Sequence, residues 1–329
     1  MTKTQTILRV PGLLTAAVLL SLPGSPALAQ SDYPSKAVRI VVPSAPGGGT
    51  DTVTRLLAQQ FSEKLGQQFF VENRPGGGTA TGTEAAARSA PDGYNLVTVA
   101  STLTSLNVAR AVKRFDPVKD FAPISQIVSL PNVLLVHPSV PANNFQELIA
   151  LAKKDPGKLA FASPGLASNA HMGMEMLKMR TGIDLLHVPY NGVAPALTDV
   201  LAGRIQIMLI NAASAKQHLD KGALRGIAVS SLKRAPALPN LPTIAELGLA
   251  DFEVIQWFGM LAPAGTPKPI VDRLHREIVE GLRAPAVAKW MQTEGAVPGG
   301  NTPEQFARLI ADEVKRWEEV AKVAKITPK

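Results

Sequence analysis

Residues 38–51 read VRIVVPSAPGGGTD, and they give the strongest indication of the architecture. A short apolar strand, Val38–Pro43, runs directly into a glycine-rich turn, Ser44–Asp51, and the turn opens an amphipathic helix. The first N–H groups of a helix have no partner within the helix, and the helix dipole favours negative charge there. Since the turn contains no Lys or Arg, it predicts a site that holds a small carboxylate mainly with the backbone. Similar turns also occur in α/β proteins without binding anything.

The first 29 residues have the features of a cleavable signal peptide. Lys3 and Arg9 supply positive charge, Leu13–Leu22 is apolar, and Ala27-Leu28-Ala29 matches an A-x-A cleavage site. The apolar run is shorter than the ~20 residues of a transmembrane helix. We therefore expect cleavage after Ala29 and export to the periplasm.

Composition and motifs exclude several classes of protein. The chain contains no Cys, which excludes disulfides, thiolate metal sites and a lipid anchor on cysteine. Its net charge of +8 comes from scattered basic residues without interleaved aromatic residues, which argues against nucleic-acid binding. The five histidines are widely separated, and the motifs of serine hydrolases, zinc proteases and P-loop enzymes do not occur. We therefore expect no enzyme activity, no metal site and no cofactor.

Short apolar strands alternate with helical patterns, which predicts α/β layers with mostly parallel sheets. The first helix is expected over about Thr52–Leu65, and two separate strands, Pro123–Val128 and Val133–His137, are expected near the middle. No long flexible linker divides the chain. Pro131 and Leu238–Pro242 are the candidate regions where the chain passes between two lobes.

A series of short motifs runs along nearly the whole mature chain: YPSK at 33–36, which leads into 38–51, VENRPG at 71–76, DGY at 92–94, FDPVKDFAPI at 115–124, HVPY at 187–190, APALTD at 194–199, WFG at 257–259 and LAPAGTP at 261–267. Together and in this order, they resemble the substrate-binding proteins of tripartite tricarboxylate transporters, also called the Bug or TctC family.

The resemblance implies a two-lobed periplasmic binding protein of type II-like α/β fold that closes over a small organic carboxylate. In the family, one lobe combines the N- and C-terminal parts, which assigns residues 30–130 and 251–329 to lobe 1 and residues 131–250 to lobe 2. The implied partners are the membrane components of a tripartite tricarboxylate transporter, and a monomer is expected. Some family members serve sensing instead, so a periplasmic sensor that presents the carboxylate to a signalling receptor is the alternative.

In lobe 1 the resemblance places the ligand at the first glycine turn, where backbone N–H groups would bind a carboxylate directly or through water. Ser44 stands where a larger, commonly aromatic residue is usual. Asp51 also suits the first turn of a helix, where a carboxylate stabilises the dipole. Simple turn geometry also explains the second glycine turn, Gly76–Thr79, and the Ser101-Thr102 step. The expected ligand-binding residues of lobe 1 are Ser44, Ala45, Gly47, Gly48, Gly49, Thr50, Asp51, Gly77, Ser101 and Thr102.

In lobe 2 the segment Ser163–His171 repeats the order of strand end, glycine turn and helix start. Ser168 is also a suitable N-cap, and His171 a suitable structural histidine. Ile210 lies where many relatives carry an acidic residue, which argues against a ligand with an amino group. Trp257 suits either the core or the wall of the cleft. The expected ligand-binding residues of lobe 2 are Ser163, Gly165, Ser168, His171, Tyr190, Asn191 and Asn211.

Overall fold

The computed structural model describes residues 1–2 and 33–326, so the expected cleavage site after Ala29 lies outside the described residues. The fold is formed by the unit that begins at Tyr33. Its strands are β1 (Val38–Val42), β2 (Phe69–Asn73), β3 (Asn95–Ala100), β4 (Phe121–Val136), β5 (Ala160–Ser163), β6 (Leu186–Pro189), β7 (Ile207–Asn211), β8 (Arg225–Val229), β9 (Ile255–Pro263) and β10 (Val297–Pro298). Its α-helices are α1 (Gly49–Leu65), α2 (Ala80–Ala87), α3 (Thr102–Ser105), α4 (Phe145–Lys154), α5 (Asn169–Thr181), α6 (Val193–Leu201), α7 (Ala212–Asp220), α8 (Lys268–Gly281), α9 (Pro285–Glu294) and α10 (Pro303–Val323).

The sheet has two parts. The first contains β1, β2, β3, β9 and β10, and the second contains β5, β6, β7 and β8. Strand β4 belongs to both parts. Its residues 121–131 pair with β9, whereas residues 132–136 pair with β7 and β8. The chain leaves the first part at Pro131–Asn132 and returns at Val254–Ile255, since the Val254 N–H donates to the Ser230 carbonyl and Ile255 pairs with Pro131. The strand order is β2-β1-β3-β9-β4-β7-β5-β6.

The sheet is mixed rather than mostly parallel. The pairings of β1 with β2 and β3, and of β5 with β6 and β7, are parallel. The pairings of β9 with β3 and β4, and of β4 with β7, β8 and β10, are antiparallel. The expectation of mostly parallel sheets is therefore wrong at the centre, because the strands that connect the two parts run in opposite directions.

The two strands expected around Pro131 are in fact one strand of 16 residues. Proline lacks an N–H donor, and for that reason it ordinarily interrupts a central strand. At Pro131, however, β4 changes its pairing partner from β9 to β7 and β8. A proline is tolerated where the hydrogen-bonded ladder is itself interrupted.

Apolar side chains cover both faces of each part of the sheet. Neighbouring residues of β1, Ile40 and Val41, belong to different core clusters, as do Leu134 and Leu135 of β4. Because successive strand residues point to opposite faces, each part of the sheet is packed on both sides. Among the described residues, no helix has the length and apolar character that a membrane span requires.

The last helix, α10, packs against both parts of the sheet. Phe306 and Ile310 near its start belong to the cluster that contains Trp257. Trp317 and Val320 near its end belong to the cluster that contains Phe161 of β5. The helix therefore joins the two parts a second time, in addition to the strands β4 and β9.

Substitution of Gly259 should test how tightly α10 packs on β9. A Cβ atom at this position would overlap the ring of Phe306. We expect Gly259→Ala to lower the free energy of unfolding by about 1–3 kcal/mol, because overpacking forces neighbouring groups apart. Urea unfolding measures the change, and Gly48→Ala is the control, since its nearest neighbour would be 3.9 Å away. Equal stability of the two variants would contradict close packing at Gly259.

Candidate ligand-binding site

A cleft of about 340 Å³ lies where β4 and β9 pass between the two parts of the sheet. Both parts contribute to its walls. The cleft is lined by Gly49, Ser101, Thr102, Leu130, Asn132, Pro164, Ser168, Asn169, Ala170, Val193, Met208, Leu209, Ile210, Asn211, Ser214, Gln256, Phe258 and Glu294.

Several helices begin at this cleft. α1 reaches it with Gly49, α5 with Asn169 and Ala170, α6 with Val193, and α7 with Ser214. Helix starts carry partial positive charge and unpaired N–H groups. None of the described residues that line the cleft is Lys or Arg. Any attraction for an anion therefore comes from the backbone and from neutral side chains.

Ser101 contributes a buried hydroxyl group to the cleft. The residue is 2% exposed, and among the described residues its Oγ has no hydrogen-bond partner. It follows β3 and precedes the short helix α3, which the sequence did not predict. Because an unpaired buried hydroxyl is unfavourable, this group is suited to bind a ligand or an ordered water.

Asn132, Asn169 and Gln256 also line the cleft, although the sequence analysis did not select them. The Asn132 Nδ2 donates to Asn169 Oδ1 and to the Val254 carbonyl, each at 3.0 Å. The Asn169 Nδ2 donates to the Ile255 carbonyl at 3.0 Å. These amides attach the start of α5 to the strands that connect the two parts. A single Asn in the apolar run of β4 is the sequence signal that could have revealed Asn132.

The carboxylate of Asp51 holds the first glycine turn in shape. It accepts hydrogen bonds from the Gly47 N–H at 2.9 Å, from Asn73 Nδ2 at 2.9 Å and from Arg55 Nε at 3.0 Å. Burial opposes its ionisation, but these hydrogen bonds outweigh burial and lower the pKa of Asp51. The geometry favours the helix-stabilising role, and Asp51 does not line the cleft.

The hydroxyl groups beneath this turn surround a much smaller cavity. Ser44, Thr50 and Thr98 line a space of about 20 Å³. Among the described residues, the Ser44 and Thr98 hydroxyls have no hydrogen-bond partner. The space suits a single water molecule, since a water needs roughly 10–15 Å³ and at least two polar partners.

Ser163 and His171 lie behind the turn between β5 and α5 rather than in the lining of the cleft. Ser163 Oγ lies 2.7 Å from His187 Nε2, and the Ala167 N–H donates to His171 Nδ1 at 3.1 Å. The two imidazole rings are stacked with their centroids 3.9 Å apart. Burial above all lowers the pKa of His171 from 6.5 to about 3 and that of His187 from 6.5 to about 4. Both rings are neutral and support the turn.

The cleft brings five of the predicted residues together: Gly49, Ser101, Thr102, Ser168 and Asn211. Ser168 and Asn211 also cap helices, since their side chains accept N–H groups of α5 and α7. The Tyr190 hydroxyl donates to Asp199 Oδ2 at 2.6 Å and so contacts α6. The predicted residues outside the lining are Ser44, Ala45, Gly47, Gly48, Thr50, Asp51, Gly77, Ser163, Gly165, His171, Tyr190 and Asn191.

Trp257 is a core residue. It is fully buried, and its Nε1 donates to the carboxyl group of Glu313 on α10, 3.1 Å from both oxygens. Its neighbours Gln256 and Phe258 line the cleft instead, because alternate residues of a strand point to opposite faces.

The family model of the tripartite tricarboxylate transporter family receptor (TctC) matches residues 53–326. The chain belongs to this family. It is 36% identical to Protein BugT of Bordetella pertussis over 319 residues, which cover 96% of each chain. The solved structure of R. palustris Rpa4515 with adipate is 35% identical, with a TM-score of 0.75, and the match covers 91% of this chain and 100% of that chain. The periplasmic binding protein BugD is 36% identical, with a TM-score of 0.72, over 90% of this chain and 100% of that chain.

Membership of the TctC family confirms the resemblance inferred from the motifs. The fold is the two-lobed α/β fold of periplasmic solute-binding proteins, as the sequence predicted. This TctC protein is a binding protein rather than an enzyme, because its family is one of substrate-binding proteins.

The stacked histidines should make this TctC protein sensitive to acid. In the unfolded chain both have their ordinary pKa of 6.5, whereas in the folded protein the values are about 3 and about 4. The unfolded state therefore binds more protons below about pH 6.5, and stability falls as the pH falls towards 4. His187→Asn should reduce the loss of Tm between about pH 7 and about pH 5, because one such group is removed.

The control for this prediction is His218→Asn, because His218 contacts Gln217 at the surface. Differential scanning fluorimetry at several pH values measures both variants. If His187→Asn and His218→Asn show the same dependence of Tm on pH as the unsubstituted protein, the histidine stack does not cause the acid sensitivity.

Proposed function

We propose that the protein captures a small organic carboxylate between its two lobes and delivers it to the membrane components of a tripartite tricarboxylate-type transporter. The observation that carries this proposal is the cleft in which helix starts from both parts of the sheet face one another without a Lys or Arg side chain among the described lining residues. Backbone N–H groups at helix starts are a well-suited partner for carboxylates. The adipate in the related R. palustris structure supports this ligand class.

The ligand is held from two sides in this proposal. The N–H groups of α1 from Gly49 onward and the Ser101 hydroxyl bind one carboxylate. The start of α5 and the side chains around Asn211 bind the opposite end, directly or through water. Apolar side chains such as Phe258 contact the hydrocarbon between the polar ends.

The proposed lobes are residues 30–130 with 251–329, and residues 131–250. The change of partner along β4 at Pro131–Asn132 and the return at Val254–Ile255 support this division. Closure is then a hinge motion about the connecting strands, driven by contacts that form only when both lobes touch the ligand. The protein acts as a monomer in the periplasm after cleavage at Ala29.

A thermal-shift screen of the mature protein tests the ligand class. The probes are adipate, malate, citrate and benzoate, with glucose and Zn²⁺ as probes of other classes. We expect at least one carboxylate to raise the Tm, since a ligand at roughly 100 times its Kd adds about 2.7 kcal/mol to stability. Stabilisation by glucose or Zn²⁺ and by none of the acids would refute the proposal.

Removal of the Ser101 hydroxyl should weaken ligand binding without weakening the fold. A hydrogen bond to a charged group contributes about 1.5–3 kcal/mol, so Ser101→Ala should raise the Kd roughly 10- to 150-fold. Its Tm should not fall, because its Oγ has no partner among the described residues. Isothermal titration calorimetry with the best carboxylate measures the Kd, and Ser89→Ala, at the end of α2, is the control. An unchanged Kd would exclude Ser101 from the site.

Glu294 should oppose the binding of a dianion. Of the described residues that line the cleft, only Glu294 is charged. We expect Glu294→Gln to tighten the binding of adipate several-fold at low ionic strength, and this gain should shrink as salt screens the repulsion. The exposed Glu63→Gln is the control. Weaker binding by Glu294→Gln would instead mean that Glu294 accepts a hydrogen bond from the ligand.

A further inference from the structure

A buried carboxyl group lies behind the cleft, on the helix that joins the two parts of the fold. Glu313 of α10 is 6% exposed and lies between Ile310 and Trp317, which pack into different core clusters. Its position is therefore close to the place where β4 and β9 pass from one part of the sheet to the other. A buried carboxyl is costly to desolvate, so its hydrogen-bond partners decide which protonation state is favoured.

The polar partners of Glu313 are neutral. Thr104 Oγ1 lies 2.8 Å from Glu313 Oε2, and Trp257 Nε1 donates to both carboxyl oxygens. Among the described residues, the hydrogen-bond partners of Glu313 include no Lys or Arg, and Arg316 directs its guanidinium to the Glu253 carbonyl at 3.0 Å. Burial without a paired cation raises the pKa of Glu313 from 4.5 to about 7.

The hydroxyl of Thr104 has two acceptors and one proton. Thr104 Oγ1 lies 2.8 Å from the Ser101 carbonyl and 2.8 Å from Glu313 Oε2. A threonine hydroxyl donates one hydrogen bond and can accept others. If Glu313 carries a proton, it donates to Thr104 Oγ1, and Thr104 in turn donates to the Ser101 carbonyl. If Glu313 is ionised, the Thr104 hydroxyl can donate its single proton either to the Ser101 carbonyl or to Glu313 Oε2, but not fully to both.

The same carboxyl group touches the back of two segments that line the cleft. Through Thr104 it reaches the turn of Ser101, a residue that lines the cleft and whose buried Oγ has no partner among the described residues. Through Trp257 it reaches β9 between Gln256 and Phe258, which both line the cleft. A change in the charge of Glu313 therefore affects both the Ser101 turn and this part of β9.

We propose that Glu313 is a positioning residue whose proton holds the Ser101 turn in the shape that binds the ligand. This inference rests on the proposed function. The ionised form loses the bond from Thr104 to the Ser101 carbonyl or leaves a buried carboxylate underpaired. It also places a negative charge behind a site for anions. Ligand affinity therefore falls as the pH rises through neutrality, and binding of the ligand takes up protons at Glu313.

The charged groups around Glu313 lie on the elements that pack against α10 and in the cavity beside Thr104. Thr104 also lines a separate cavity of about 360 Å³, whose charged lining residues are Lys113, Arg114, Asp116, Asp120 and Glu318. The elements α3, β4, β9 and the 3₁₀ helix Leu106–Ala109, which pack against α10, carry no titratable side chain. Arg316 and Glu253 act on Glu313 through their charges. The titratable residues of the two other α-helices packed against α10 are His171, Glu175, Lys178 and Arg180 of α5, and Lys268, Asp272, Arg273, His275, Arg276, Glu277 and Glu280 of α8.

Two pH titrations of the mature protein test the proposal. The first follows intrinsic tryptophan fluorescence without ligand between about pH 5.5 and about pH 8.5, because Trp257 is bonded to Glu313. The second measures the Kd of adipate and of malate by calorimetry over the same range. We expect a fluorescence transition near neutral pH. We also expect the Kd to rise with pH, by a total of about tenfold for each unit by which the bound ligand raises the pKa of Glu313.

Three variants distinguish positioning from a merely structural role. Glu313→Gln imitates the protonated acid, so at high pH it should bind adipate as tightly as the unsubstituted protein does at low pH. Neither its tryptophan fluorescence nor its Kd should change with pH over this range. Thr104→Val keeps the shape but lacks the hydroxyl, so it should retain the fluorescence transition while its Kd depends less on pH. Glu319→Gln, on the exposed side of the same helix, is the control and should behave like the unsubstituted protein.

Different results overturn the assignment of the proton, the positioning role and the proposed function. A fluorescence transition that is absent, or that persists in Glu313→Gln, overturns the assignment of the proton to Glu313. A transition that depends on Glu313 together with a Kd independent of pH overturns the positioning role. Failure of every carboxylate to bind at any pH refutes the proposed function, and the positioning role with it, whatever the fluorescence shows.

Discussion

One strand constrains the whole molecule, because β4 supplies pairing partners to both parts of the sheet. Its residues 121–131 complete the first part, and residues 132–136 complete the second. The cleft lies beside the position where β4 changes its pairing partner, with Leu130 and Asn132 in its wall. Any motion that opens or closes the cleft must therefore bend β4 and β9, and α10 must accommodate the same motion because it packs on both sides. The binding site and the connection between the parts are one structural unit.

No basic side chain occurs among the described residues that line the cleft, so in the proposed function the helix starts attract the carboxylate. Partial charges at helix starts are fixed in direction and small, so they favour a carboxylate without binding it as tightly as a bidentate arginine would. This arrangement suits a protein that must release its ligand. Such weak attraction is sensitive to nearby negative charge, and for this reason we expect Glu294 in the wall and Glu313 behind it to affect affinity.

The fold was largely predictable from the sequence, and the site was predictable only in outline. Alternating strand and helix patterns, together with motifs in family order, identified the two-lobed α/β fold, which is confirmed. The first glycine turn and the turn at Ser168 were found because helix starts have local signals. Asn132 and Gln256 were missed because they lie in apolar strands and reach the cleft only through the crossing of β4 and β9. The continuity of β4 through Pro131 was missed for the same reason, since local propensity does not reveal a change of pairing partner.

The most direct test of the carboxylate site is a crystal structure of the mature protein grown with adipate. The account predicts one carboxylate within about 3 Å of the Gly49–Asp51 N–H groups or the Ser101 hydroxyl, and the other at the start of α5 or α7. It also predicts that no Lys or Arg side chain contacts either carboxylate. Adipate bound instead in the cavity beside Lys113 and Arg114, with the cleft between the helix starts left to solvent, would contradict the account.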